Sequence, residues 1–221
     1  GTASFTVTLS TASGLPVTVN YGMTSQTALS GVDFISGAGT LTFAPGITTQ
    51  TITVPILNDN LYEISEAFKV TLSGPTNATI SDGTGIGTIK DDGTGSGGSD
   101  NDAPTFAVSS VTVSDSVVGG YANFIVSLSN PSSVATTFNL ALASVTATGG
   151  GGDYGAVGAT NLQVSTNNGV TWVNATSVTI PINATYVLVR TPITSDSISE
   201  GSETFTLTAT RTSGATTNAS A

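Results

Sequence analysis

Asp59-Asn60-Leu61-Tyr62-Glu63-Ile64-Ser65-Glu66-Ala67-Phe68-Lys69-Val70-Thr71-Leu72-Ser73 carries three acids at i, i+4 and i+7 and then passes into alternating apolar and polar residues. Phe68, Val70 and Leu72 fall on one face of an extended chain, so the acids stand at the mouth of a half-buried strand. The arrangement returns as Asp196-Ser197-Ile198-Ser199-Glu200-Gly201-Ser202-Glu203-Thr204-Phe205-Thr206-Leu207-Thr208-Ala209-Thr210. An acidic loop feeding a strand, present twice, organises the rest of the chain.

Upstream, Phe5, Val7 and Leu9, then Val17, Val19 and Tyr21, Leu41 and Phe43, and Ile52, Val54 and Ile56 keep the period of two. Downstream, Ile86-Gly87-Thr88-Ile89 leads into Asp91-Asp92. Ser13-Gly14-Leu15-Pro16, Ser36-Gly37-Ala38-Gly39 and Ala44-Pro45-Gly46 separate the runs as turns. Strands about ten residues apart, each with one apolar face, predict an all-β chain of antiparallel, Ig-like Greek-key β-sandwiches.

The second half repeats the first. Ala3 to Ser10 returns as Ala122 to Ser129, and Gly31-Val32-Asp33-Phe34 returns as Gly151-Gly152-Asp153-Tyr154. The boundaries read as a sandwich over 1–92, a Gly/Ser/Asp linker over 93–102 and a second sandwich over 103–221. Roughly 17 extra residues enter copy two between Asp153 and Asp196, and Asn168-Gly169 marks them as an added hairpin. That hairpin carries the single tryptophan, Trp172, expected to pack inward, with an exposed sugar-stacking platform as the alternative. Four Asn-x-Ser/Thr sequons, at Asn77, Asn174, Asn183 and Asn218, arise easily in Thr-rich sequence and receive no role.

Fourteen acids against four Lys and Arg give a net charge of −10, which excludes a basic nucleic-acid footprint. The absence of His and Cys removes imidazole and thiolate metal sites, Ser-His and Cys nucleophile systems and disulfides. Mean hydropathy is +0.24, yet no apolar run nears the roughly 18 residues of a spanning helix, so membrane insertion is not expected. The chain opens directly on strand-like sequence, as a segment of a longer or processed protein would.

In the first copy the candidate ligands are Asp33, Asp59, Glu63, Glu66, Asp91 and Asp92, each where a strand meets a loop. Only Asp82, in a Ser-Asp-Gly turn, reads as purely conformational. Loops of a Greek-key sandwich gather at its two ends. Converging carboxylates repel by about 4 kcal/mol per pair at 4 Å and an effective dielectric near 20, and no Lys/Arg cluster exists to neutralise them. A hard divalent cation does so, and Ca2+ accepts six to eight oxygens in irregular geometry whereas Mg2+ demands a tighter octahedron. The spacing is not that of an EF-hand. The bland alternative is a set of surface acids serving solubility. The enzymatic alternative, a glycosidase carboxylate pair, needs an aromatic-lined cleft that a chain with 6% aromatics does not supply, so no enzyme is expected.

Gly-x-Asp-[Phe/Tyr], Gly-x-Leu-x-Phe-x-x-Gly, Asp-x-x-x-Glu-x-x-Glu-x-Phe-x-Val-x-Leu-Ser and Gly-Thr-Ile-x-Asp-Asp, carried in this order by Gly31 to Phe34, Gly39 to Gly46, Asp59 to Ser73 and Gly87 to Asp92, resemble the Calx-β domain. That family occurs in sodium–calcium exchangers, in an integrin cytoplasmic region and as tandem repeats of large bacterial surface proteins. The resemblance implies a seven-stranded Ig-like sandwich binding Ca2+ at one end, through the six acids named above in copy one. In copy two it implies Asp153, Asp196, Glu200 and Glu203, with Asp115 near an acid of the family's first strand. It further implies that copy one lacks the family's first strand and copy two its last.

Together these features describe a calcium-binding structural or adhesion module of an extracellular, cell-surface or secreted protein, stiffened by Ca2+ at its domain ends and linker. Expected partners are neighbouring copies or repeats of the same chain and a cell-surface or glycan receptor. The alternatives are a filament subunit joined by donor-strand exchange and an adhesin that binds ligand through the Trp172 hairpin.

Overall fold

The computed structural model describes residues 1–91, 102–114, 119–155, 162–198 and 201–221. The chain divides into unit 1, Gly1–Asn101, and unit 2, Asp102–Ala221. In unit 1 the periodic runs form β1 (Thr2–Thr8), β2 (Val17–Ser25), β3 (Ala38–Phe43), β4 (Thr49–Pro55), β5 (Glu66–Thr76) and β6 (Thr84–Ile89). β1 pairs with β4, and the other four form a sheet in the order β3-β2-β5-β6, with every pairing antiparallel.

Alternation decides which side chains meet. Ile52 and Val54 of β4 face Phe68 and Val70 of β5, and Phe5 and Val7 of β1 close over them, so two sheets share one core. Phe34, Val54 and Phe68 are fully buried. Phe34 stacks on Phe68 with ring centroids 4.5 Å apart, and Phe5 meets Phe68 edge-on at 5.8 Å.

Unit 2 contains β7 (Phe106–Val108), β8 (Tyr121–Leu128), β9 (Thr136–Ser144), β10 (Gln163–Ser165), β11 (Val173–Asn174), β12 (Ser177–Ile180), β13 (Tyr186–Pro192) and β14 (Phe205–Ser213). Its sheets run β11-β10-β13-β8-β7 and β12-β9-β14. β8, β9, β13 and β14 repeat β1, β2, β4 and β5, down to the aromatic cluster: Tyr154 stacks on Phe205 at 4.2 Å and Phe124 meets it edge-on at 6.0 Å. Among the described residues, β7 has no counterpart in unit 1 and β6 has none in unit 2.

The added hairpin exists as β10 and β11, with Asn168 and Gly169 both at positive φ, 57° and 83°. Trp172 departs from the expected inward packing. It precedes β11 on the outer side of the sheet and is half-buried, its indole N–H donating to the Gly169 carbonyl at 3.0 Å. Val164 and Val189 point into the core, so their neighbours Gln163 and Arg190 point out. The Arg190 guanidinium lies over the Trp172 ring at 4.0 Å and over Tyr121 at 3.8 Å, while its Nε donates to Gln163 at 2.8 Å. The tryptophan covers an outward arginine, so it neither joins the core nor offers that ring face to a ligand.

Two glycines separate packing from propensity. A Cβ on Gly87 would fall inside the Phe68 ring, whereas one on Gly22 of β2 meets nothing within 4 Å. Gly87→Ala should therefore cost about 1–3 kcal/mol in urea unfolding followed by far-UV circular dichroism, while Gly22→Ala leaves the midpoint within about 0.5 kcal/mol of the parent.

Candidate metal centre

Asp33 reaches its position through a tight corner. Gly31 at φ 87° lets the chain reverse, the Gly31 N–H donates to the Phe34 carbonyl at 2.8 Å, and the Leu29 N–H donates to Asp33 Oδ2 at 2.6 Å. The corner is sewn to β4, because the Leu57 N–H donates to the Asp33 carbonyl at 2.9 Å and the Ile35 N–H to that of Pro55 at 3.0 Å. Phe34 then anchors it in the core, leaving Asp33 only 8% exposed at the end of the sandwich.

Glu66 opens β5, two residues before Phe68, so the Phe34–Phe68 stack brings the two acids to the same end. Glu63 comes from the loop ahead of β5. Asp59 shapes that loop by accepting the Leu61 N–H at 2.8 Å, and Asp91, just after β6, accepts the Glu63 N–H at 2.9 Å. One carboxylate oxygen each of Asp33, Glu63 and Glu66 lie within 4.8 Å of one another. Oxygens bound to one Ca2+ at 2.3–2.6 Å cannot be farther apart than about 5 Å, so the three fit a single ion.

The crowding shows in the protonation equilibria. Burial, with the Asp33 carboxylate as hydrogen-bond partner and nearby charge and further charge from Glu63 and Asp91, pushes Glu66 up to about 7. Glu63 is raised as well, by burial first and then by Asp33, Asp91 and Asp59. A cation bound there would compete with those protons for the same oxygens.

Of the six acids expected in unit 1, the structure brings Asp33, Glu63 and Glu66 together, with Asp91 bonded to their loop and Asp59 near enough to act on Glu63. Asp92 lies outside the described residues, as do Asp115, Glu200 and linker residues 93–101. Asp82 accepts the Thr84 N–H at 3.1 Å, the turn role expected of it.

Unit 2 repeats the frame. Gly151 takes φ 95°, its N–H donates to the Tyr154 carbonyl at 3.1 Å, Thr148 N–H donates to Asp153 Oδ2, and Asp196 accepts the Ile198 N–H at 2.7 Å. Asp153, Asp196 and Glu203 line one groove, but among the described residues of unit 2 no three acids converge as they do in unit 1.

Thr27 was not singled out from the sequence. Its hydroxyl accepts the Ala67 N–H beside Glu66 at 2.7 Å, and the Ala28 N–H donates to the Ala67 carbonyl at 2.9 Å. Thr146 does the same for the Thr204 N–H at 2.7 Å. The recurrence of Thr27-Ala28 as Thr146-Ala147 was the signal available.

The Calx-beta domain family model matches residues 1–93 and 99–220. Solved structures with a similar fold include the apo form of the Calx CBD1 domain, 25% identical over 35% of this chain and 70% of that one, TM-score 0.34. The Calx CBD2 domain is 28% identical over 38% of this chain and 51% of that one, TM-score 0.34. The calcium binding domain CBD12 of CALX1.1 is 17% identical over 96% and 74%, TM-score 0.41. No curated protein sequence matches.

The raised acids set the sign of a pH dependence. Glu66 binds its proton more tightly folded than unfolded, so its stabilising contribution is complete below about pH 4.5 and is lost as pH rises through about 7. In EDTA the melting temperature should fall between pH 5.5 and 8, and Glu66→Gln should flatten that slope in differential scanning calorimetry.

Proposed function

The chain belongs to the Calx-beta family across both of its units, and from that premise we propose that it is a calcium-binding structural module whose principal ion site is Asp33, Glu63 and Glu66. Calx-beta domains are calcium-binding modules that occur in tandem. The observation that carries the reading here is the meeting of those three carboxylates at one end of unit 1. Asp91 and Asp59 supply further oxygens in the same neighbourhood, and calcium's tolerance of six to eight irregular oxygen ligands suits them. The ion's contribution is mechanical: it replaces mutual repulsion with a shared ligand and so locks the 59–66 loop, the Asp33 corner and the exit of β6 to one another.

The setting we propose is extracellular. Extracellular calcium modules work at about 0.1–1 mM, so such a site fills outside a cell and stays largely empty inside one. An adhesion or spacer role then follows, with stiffness rather than chemistry as the product and neighbouring repeats or a cell-surface receptor as partners. The described residues include no helix long and apolar enough to cross a membrane. Asp153, Asp196 and Glu203 are the ligands proposed for a weaker site in unit 2.

Calcium titration tests this. At ten times the dissociation constant the ion should add about 1.4 kcal/mol to unfolding. Asp33→Asn or Glu66→Gln should raise stability in EDTA, by relieving repulsion, yet remove most of the calcium-induced shift. Asp82→Asn should leave that shift intact. A parent protein whose melting temperature does not respond to millimolar Ca2+ would end the reading.

A further inference from the structure

We infer that the outer face of the β11-β10-β13-β8-β7 sheet carries a binding site for a carboxylated saccharide, with the Arg190 guanidinium as its anion receptor. The register lays Asn174, Gln163, Arg190 and Asn123 side by side across four strands. Their chain neighbours Val164, Val189 and Phe124 point into the core, so this polar row points out. Gln163 aligns it: its Nε2 donates to Asn174 Oδ1 at 3.2 Å, and its Oε1 accepts from Arg190 Nε at 2.8 Å.

Arg190 is held rigid before any ligand arrives. The Tyr121 and Trp172 ring centroids lie 3.8 and 4.0 Å from its central carbon, one ring on each face, since two rings cannot share a face at that distance. Trp172 is fixed in turn by its N–H bond to the Gly169 carbonyl, and Tyr186 of β13 pins the hairpin turn by donating to Asn168 Oδ1 at 2.9 Å. Both faces and the ε edge are thus engaged. The η nitrogens meet no acceptor among the described residues. The five strands of the sheet contain no Asp or Glu to neutralise them. Packing the hairpin down accounts for the stacked faces, but not for a positive charge left without a counter-ion in a chain of net charge −10. A guanidinium immobilised in this way loses little further freedom when a carboxylate takes its η N–H groups in a fork.

Unit 1 shows that the fold does not ask for these residues. Counted from the equivalent Ala3 and Ala122, Tyr121 and Asn123 stand where unit 1 has Thr2 and Ser4. Arg190, opposite Asn123, stands where it has Thr53, opposite Ser4. The hairpin that supplies Gln163 and Trp172 has no counterpart among the described residues of unit 1. The surroundings of the guanidinium select the ligand. Asn123 and Asn174 are exposed beside it, and the Tyr121 ring carries a hydroxyl. Uncharged donors and acceptors around one fixed cation suit the hydroxyls of a sugar that also bears a carboxylate. An acidic peptide binds extended by pairing its main chain with a strand edge, and the backbone of an inner strand such as β13 is already paired on both sides.

The test titrates the 221-residue chain with tetragalacturonic acid, a hyaluronan tetrasaccharide and the methyl ester of the first, all in EDTA so that no ion takes part. Trp172 is the single tryptophan, so its emission reports on the site directly. A saturable change is expected with at least one of the two acids, and binding of the uncharged ester should be at least about tenfold weaker than that of its acid. Arg190→Lys keeps the charge but loses the fork, and should weaken the acid by about tenfold. Asn123→Asp sets a carboxylate directly opposite Arg190 and leaves the clamp in place. It should abolish binding without lowering the melting temperature. The inference is overturned by no saturable change with either acid, by equal binding of acid and ester, or by undiminished binding to Asn123→Asp. A tetraglutamate peptide that binds as tightly as the sugar acids would overturn it equally, since the partner would then be an acidic peptide.

Discussion

The contact between Phe34 and Phe68, ring centroids 4.5 Å apart, holds the candidate centre together. Phe34 ends a glycine-dependent corner whose third residue is Asp33, and Phe68 lies two residues into the strand that Glu66 begins. Burying two rings face to face fixes the separation of two acids that are 33 residues apart in sequence. The apolar core therefore supplies the geometry that the acids themselves oppose. Tyr154 and Phe205 reproduce the stack in unit 2 at 4.2 Å, so the frame is present twice.

What the frame positions is electrostatically unfavourable in itself. Glu63 and Glu66 have raised proton affinities because they are partly desolvated beside Asp33 and Asp91, and a protein holds such groups together only with protons or a cation. The backbone is arranged for the ionised state all the same. The Leu29 N–H points at Asp33 and the Glu63 N–H at Asp91. Those donors orient the carboxylates without neutralising them.

The two units show how one frame is put to different use. In unit 1, β6 covers the Phe5–Phe68 pair with glycines and then delivers Asp91 to the loop of Glu63. In unit 2 the corresponding edge of β14 borders a groove, and Asp153, Asp196 and Glu203 line it without converging. In unit 1 a single strand thus ties the aromatic cluster to the acidic loop. The β10–β11 hairpin is a separate addition, held on the outer sheet face by Arg190 between Tyr121 and Trp172.

Local chemistry determined much of this in one dimension. Period-two alternation set the strands, because a half-buried strand can be written only that way. Asp59, Asp82 and Asp196 set their own turns two residues ahead, an interaction that needs no tertiary partner. The duplication of Asp-x-x-x-Glu-x-x-Glu named the acids before any geometry was known. Tertiary structure decided which acids meet, since convergence of Asp33 with Glu63 and Glu66 depends on sheet order and an aromatic stack that sequence spacing does not encode. It also decided the fate of Trp172, whose direction was set by an outward arginine on a neighbouring strand, and the roles of Thr27 and Thr146, whose hydroxyls acquire partners only when β5 and β14 are in place.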